Sequence, residues 1–237
     1  MSSVLMVVTA ADSLTLADGD SHPTGFWAEE VATSHRILRE AGLDVRIATP
    51  GGRPAPVDPI SLDERGGVAA EDARDLSAYL DSISAELSRP LVLADARVAD
   101  YDAVYLPGGH GPMADLATDP DLARILAEAD ARRLTVAALC HGPAGLLGAV
   151  GADGRFLFAG RRLTVFTDDE ERQGGLGDRT PYLVESRLRE LGAVIASGPA
   201  WSSTVVSDGN LITGQNPQSS ADTAREVVKA VSESRTR

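Results

Sequence analysis

The chain has 237 residues, 43% hydrophobic and 24% charged, so disordered, collagen-like and fibrous architectures are excluded and one sizeable buried core is affordable in length. Its 22 Lys plus Arg stand against 35 Asp plus Glu, and the formal charge of −13 disfavours nucleic acid and anionic membrane surfaces as partners. The single cysteine, Cys140, rules out an internal disulfide and a Cys-rich zinc site, so any role it has is that of a thiol.

Val4 to Thr9 is a continuous apolar, β-branched run, the pattern of a strand buried on both faces in a parallel sheet. A polar stretch, Ala10 to Gly25, leads to a helix over Phe26 to Ala41, with Trp27, Val31 and Leu38 at helical spacing and Gly42 placed to end it. Asp44 to Ala48 is the second strand. Thr49 to Gly67, with four prolines, is a loop, and Glu71 to Leu87 recovers helical periodicity; residues from about 50 to 100 form an insertion beside the main sheet. Asp102 to Leu106 is a strand that breaks at Pro107-Gly108-Gly109. Asp119-Pro120 then starts a helix running to Arg133, with an acid at the N-cap and proline at the first helical position.

Thr135 to Leu139 is a short apolar strand stopped by Cys140-His141-Gly142-Pro143, with a helical turn over Ala144 to Gly148. Arg162 to Phe166 is a strand, Thr180-Pro181 caps a helix that Gly192 ends, and Ala193 to Ala196 is a further strand. Ser203 to Ser207 and Asn210 to Thr213 flank Asp208-Gly209, which favours a type I′ hairpin turn. A helix from Ser220 to Val231 closes the chain. Alternating strands and helices predict one α/β domain over 1–237, a doubly wound, mostly parallel sheet with helices on both faces.

No apolar run reaches the roughly 18 to 20 residues that cross a bilayer. The first basic residue, Arg36, lies too far in for the basic start of a secretory signal, so a cytoplasmic protein with a reduced thiol is expected.

In open α/β sheets, residues that end separate strands converge on the ligand crevice. Cys140 ends one of them, facing the start of the following helical turn, and a thiolate there is expected to titrate below the free-cysteine value of about 8.5. A free cysteine is often only a small buried hydrophobe, but such a residue needs neither the adjacent imidazole nor the sharp, glycine-containing turn of CHGP. Gly108-Gly109-His110 ends another strand. It reads most simply as a tight turn, and it also offers backbone N–H groups, those of Gly109 and His141 being the amide donors for a developing oxyanion. His110 is left as a pocket wall or a solvent-facing residue. Gly109 to Ala114 also fits the loose G-x-G-x-x-G/A dinucleotide pattern, but not in the first βα turn where that pattern functions, and is read as coincidence.

AALCHGPAGL, with YLPGGHG on the preceding strand, resembles the ThiJ/PfpI superfamily of the class I glutamine amidotransferase-like, flavodoxin-like fold. TGFWAEE, VFTDDEE and LITGQNPQSS are similar to the branch containing glutathione-independent glyoxalases and related chaperone-like or deglycase proteins. The resemblance implies that Cys140 is the nucleophile, that His141 and Glu171 complete a triad, and that Glu30 contacts the thiol. Read from the residues alone, acids at a helix start serve the dipole, which suits Glu29. Glu30 lies on or beside the apolar stripe and can point toward Cys140, where a crevice raises its pKa. The four carboxylates from Asp168 to Glu171 read as a solvated run from which the resemblance alone selects Glu171.

The implied activity is a cofactor-free, glyoxalase III type lyase converting methylglyoxal to lactate through a cysteine hemithioacetal, with deglycase action on related adducts. Glu30 or His141 then serves as the base. The expected partner is a small reactive aldehyde, no metal or organic cofactor is called for, and the resemblance leans toward a homodimer. The rivals are a Cys-dependent peptidase or amidase using the same strand-end turn, and a stress-related holdase chaperone or redox sensor. A glutaminase is disfavoured, since that activity takes its triad histidine from far downstream and no histidine follows His141. No two histidines share ligand spacing on one helix, which leaves only a spatially assembled metal site, with His22 or His35, as an open alternative.

Overall fold

The computed structural model describes residues 2–151 and 153–234. In chain order its strands and helices begin with β1 (Ser3–Val7), β2 (Ser13–Thr15), β3 (Ser21–Pro23), α1 (Ala28–Glu40), β4 (Asp44–Thr49), α2 (Ala70–Ser82), α3 (Ser84–Ser88) and β5 (Leu91–Val92). They continue with β6 (Ala103–Leu106), α4 (Gly111–Ala114), α5 (Pro120–Ala131), β7 (Thr135–Leu139), β8 (Arg162–Leu163), α6 (Asp168–Gln173), α7 (Val184–Glu190), β9 (Val194–Ile195), β10 (Val205–Asp208), β11 (Leu211–Gly214) and α8 (Ser220–Ser234).

Seven strands make the main sheet in the order β10-β11-β7-β6-β1-β4-β5. All its pairings are parallel except that of β10 with β11. Side chains alternate across such a sheet, and β1 shows the partition directly. Leu5 and Val7 enter the core beneath α5 and α7, whereas Val4 and Met6 enter the core shared with α1 and α8. Each inner strand therefore serves two cores, which is why β1 and β7 read as unbroken apolar runs. α5 forms as its sequence dictates, with the Asp119 carboxylate accepting from the Leu122 N–H at 2.8 Å and Pro120 at the first helical position.

Several expected elements differ. The polar stretch after β1 holds a small hairpin, β2 with β3, which buries Leu14 and Leu16; three-residue strands carry too little alternation to be read. α1 starts at Ala28, because Phe26 instead bridges to Val57 and donates its N–H to Pro56 O. The periodic run from Glu71 to Leu87 is broken at Ile83 into α2 and α3. Thr180-Pro181 does not cap α7, which begins at Val184, and the Thr180 hydroxyl bonds Gly177 O instead. In the β10–β11 turn Gly209 has a positive φ of 58° while Asn210 does not, which is the type II′ pattern rather than type I′.

The segment expected as a strand over Arg162 to Phe166 does not join the main sheet. Only Arg162 and Leu163 are in a ladder, a separate parallel pair with β9. The Thr164 N–H bonds Thr213 Oγ1, and the Phe166 N–H bonds Cys140 O, so the chain crosses the carboxyl ends of β11 and β7. This crossing carries α6 to the end of the sheet where Cys140 lies.

The turns that end β6 and β7 are pressed together. A Cβ on Gly108 would fall 2.6 Å from His141 N, and one on Gly142 would fall 2.1 Å from Leu106 O. The strand-end glycines are therefore packing requirements. Gly142→Ala is expected to lose about 1–3 kcal/mol of stability by forcing these turns apart. Urea denaturation measures this, and a neutral substitution would contradict the close packing described.

Candidate active site

Cys140 sits at the end of β7 with φ 58°, a left-handed conformation that a side-chain-bearing residue adopts only under constraint. The constraint is visible on both sides, since its N–H donates to Gly214 O and its carbonyl accepts from Phe166 N–H, each at 3.0 Å. The side chain is 3% exposed. Its Sγ lies 3.4 Å from Nδ1 of the buried His141.

On its far side the His141 ring donates Nε2–H to Glu171 Oε2 at 2.6 Å. Glu171 owes its place to α6, whose N-terminus is fixed by a reciprocal cap: Thr167 Oγ1 accepts the Glu170 N–H, and Glu170 Oε2 accepts the Thr167 N–H. Burial works against ionising Glu171, yet the His141 and His110 imidazoles on its two oxygens hold it well below the usual carboxylate range. An ionised Glu171 fixes the His141 proton on Nε2 and leaves the Nδ1 lone pair toward the thiol. Burial, then the nearby His110, lowers the His141 pKa, so the ring is neutral at rest.

α1 brings Glu30 from the other side. Its Oε2 accepts the Gly108 N–H at 2.7 Å, and its carboxyl is fully buried beside the Cys140 thiol. Burial pushes its pKa up to about 8, against the opposing effects of the Gly108 and thiol hydrogen bonds. The expectation of a thiol that titrates low is reversed. Burial and the Glu30 carboxyl push Cys140 well above the ordinary range, and the following element is only a five-residue 3-10 turn, Gly142–Leu146, with little dipole to offer. The His141 N–H points at the sulfur, while the Gly109 N–H has no acceptor among the described residues.

Of the remaining histidines, His35 lies on α1, bonded to Tyr79 Oη and beside Glu86, and takes no part in this cluster. His22, on β3, meets the His110 ring edge-on at 6.2 Å. The ligand atoms of His110, His141 and Glu171 lie within 4.8 Å of one another, a grouping that helix spacing could not show. Both Glu171 oxygens accept imidazole N–H groups, so a cation here would have to displace two hydrogen bonds.

The family model of the DJ-1/PfpI family matches residues 23–230. The chain belongs to the DJ-1/PfpI family. It is 29% identical over 236 residues to the protein/nucleic acid deglycase HchA of Staphylococcus aureus, covering 95% of this chain and 78% of the relative. Among solved structures it is similar to the Rapid Encystment Protein 24 kDa of Francisella tularensis, with a TM-score of 0.85 and 29% identity over 98% of this chain and 99% of that one. It is also similar to glyoxalase III from Candida albicans, with a TM-score of 0.82 and 26% identity over 97% of each chain.

Within this DJ-1/PfpI chain, three contributors escaped the sequence reading. His110, set aside as a wall, bonds Glu171 Oε1 at 3.0 Å. Glu170 is fully buried and its Oε1 accepts from Trp201 N–H, Gln215 Nε2 and Asn216 Nδ2, tying α6 to the TGQN segment. The signal for it was present, since Thr167-x-x-Glu170 is a capping-box spacing. Trp201, also at positive φ, packs edge-on against Phe166, which in turn lies 4.6 Å from the His141 ring.

Two outcomes are expected. Alkylation of Cys140 by iodoacetamide should keep accelerating into alkaline pH, and a plateau reached below about pH 8.5 would restore the low-titrating thiolate. Because folding raises the Glu30 pKa, stability is held at low pH and lost as pH rises from the unfolded value of 4.5 to about 8. Glu30→Gln should remove that loss, gaining on wild type by up to about 1.4 kcal/mol per pH unit across the window. Denaturation midpoints against pH measure it, and a difference independent of pH would contradict the buried, protonated carboxyl.

Proposed function

We propose that the protein is a glutathione-independent glyoxalase of the glyoxalase III type, converting methylglyoxal to lactate, with deglycase action on related aldehyde adducts. The observation that carries this reading is a thiol 3% exposed, with the His141 imidazole 3.4 Å away on one side and the buried Glu30 carboxyl on the other. A site so enclosed suits a small aldehyde better than a peptide strand, which favours the lyase over a peptidase. The names of the HchA relative and the Candida glyoxalase support the same class.

In this reading the Cys140 proton passes to His141 Nδ1 as sulfur adds to the aldehyde carbon, and the Gly109 and His141 amides steady the oxyanion. The imidazolium returns its proton to that oxygen, completing the hemithioacetal. The neutral His141 then removes the hydrogen on the former aldehyde carbon as a proton, while Glu30 donates its own to the neighbouring carbonyl oxygen, giving an enediol. Protonation of the second carbon and loss of the proton from the first hydroxyl give the lactyl thioester, which water hydrolyses to lactate and the free thiol. Two groups whose surroundings push their pKa values apart are thereby assigned as base and acid. The hydrogen shift is internal to the substrate, so the scheme calls on no nicotinamide and no glutathione. The reading retains the homodimer that the sequence resemblance implies and the cytoplasmic setting expected from the sequence itself.

Purified protein should form lactate from methylglyoxal with no glutathione added, and Cys140→Ala should abolish it. Glu171→Gln and Glu30→Gln should each lower kcat by roughly 10²- to 10⁴-fold. Glu30→Gln turnover within about tenfold of wild type, with Cys140 still alkylated normally, would remove Glu30 from the chemistry.

A further inference from the structure

Glu171 serves two imidazoles. Its Oε2 accepts His141 Nε2–H at 2.6 Å and its Oε1 accepts from His110 Nε2 at 3.0 Å, while the two rings lie 4.1 Å apart, centroid to centroid. Only the first contact belongs to the triad. Glu171 and His141 are 4% and 2% exposed, so water has little access to the oxygen that His110 occupies.

We propose that His110 is a positioning residue for the Cys140–His141 pair: its Nε2–H engages Glu171 Oε1, which locks the carboxylate plane, commits Oε2 to His141, and limits how strongly the carboxylate can pull a proton onto that ring. The inference rests on the function proposed above in taking His141 as the working base. A carboxylate aimed at one imidazole alone stabilises imidazolium strongly and produces a ring that holds its proton. Sharing the carboxylate with a second donor keeps His141 in the Nε2–H tautomer yet easily deprotonated at Nδ1, as a base that must accept and release protons in one turnover requires. The close approach of the His110 ring acts in the same direction, since any positive charge on it opposes one on His141.

The ionisable groups facing this pair are few and come from each packed element: Glu30 from α1, Cys140 at the end of β7, Glu170 and Glu171 from α6, and His22 from β3. His22 meets the cluster through the His110 ring and also feels the charge of Glu171.

Two substitutions separate the N–H from the ring. His110→Phe keeps a ring against His141 and removes the donor. His110→Gln removes the ring and carries an amide N–H to nearly the same place. The primary readout is the His141 ring titration by nitrogen-15 NMR, which needs no substrate, with thermal unfolding run on each variant to confirm the fold. In His110→Phe the His141 pKa should rise by about half a unit or more, and in His110→Gln, which restores the N–H but not the ring charge, it should fall back part of the way toward the wild-type value. In methylglyoxal turnover the acid limb of kcat against pH should move the same way, with KM little changed. An unmoved His141 titration in folded His110→Phe would overturn the proposal, as would rescue by Phe rather than Gln, which would make ring packing the function of His110. Should wild-type protein fail to turn over methylglyoxal, the functional reading falls by itself, and the titrations still decide the role of His110.

Discussion

The hydrogen bond from Gly108 N–H to Glu30 joins the three parts on which the site depends. It anchors the first turn of α1 to the end of β6, it sets a fully buried carboxyl beside the Cys140 thiol, and it leaves the second oxygen without a hydrogen-bond partner among the described residues. A carboxyl in that position is costly to ionise, so the protein keeps it neutral to about pH 8. The consequence reaches Cys140: the resting thiol also keeps its proton, so under the proposed function the chemistry begins with a transfer to His141 rather than with a preformed thiolate.

That bond is available only because the strand ends of β6 and β7 approach without side chains between them. Gly108 and Gly142 let the two turns touch, and the crossing segment over β7 and β11 pins Cys140 from the other side through Phe166 N–H. α6 is set over these strand ends by polar contacts. Its cap at Thr167 and the three donors gathered on Glu170 Oε1 fix the helix, and Glu171, one residue on, faces the two imidazoles. The two adjacent glutamates divide the work, one holding the backbone in place and the other holding the His141 ring.

The sequence made parts of this legible for physical reasons. Strands buried on both faces are continuous apolar runs, so β1, β6 and β7 were readable, and with them the strand-end position of Cys140 and His141. The apolar stripe of α1 placed Glu30 inward. Glu171 was reached through the family resemblance, not through its surroundings, because a cluster of four acids gives no sign of which ones a fold will bury. Nothing in the sequence marks His110, because Pro-Gly-Gly turns are common and a histidine after one carries no periodicity. The direction of the Cys140 shift is hidden for a related reason: sequence shows that a helical turn follows the cysteine, but not that the turn is a short 3-10 segment, nor that a buried carboxyl from α1 lies beside the sulfur. The crossing of residues 164 to 166 was hidden too, since a β-branched run reads as a sheet strand whichever partner takes its N–H groups.

The central claim is that at neutral pH Glu30 is a neutral acid while Glu171 is an anion, two carboxyls of one site held in opposite states by burial and by imidazole donors. The infrared difference spectrum between wild type and Glu30→Gln reads this directly, because a protonated carboxyl and a carboxylate absorb in separate regions. At pH 7 the account predicts a protonated-carboxyl band from Glu30, fading as the pH is raised through about 8. A difference spectrum showing only carboxylate bands at pH 7 would contradict it.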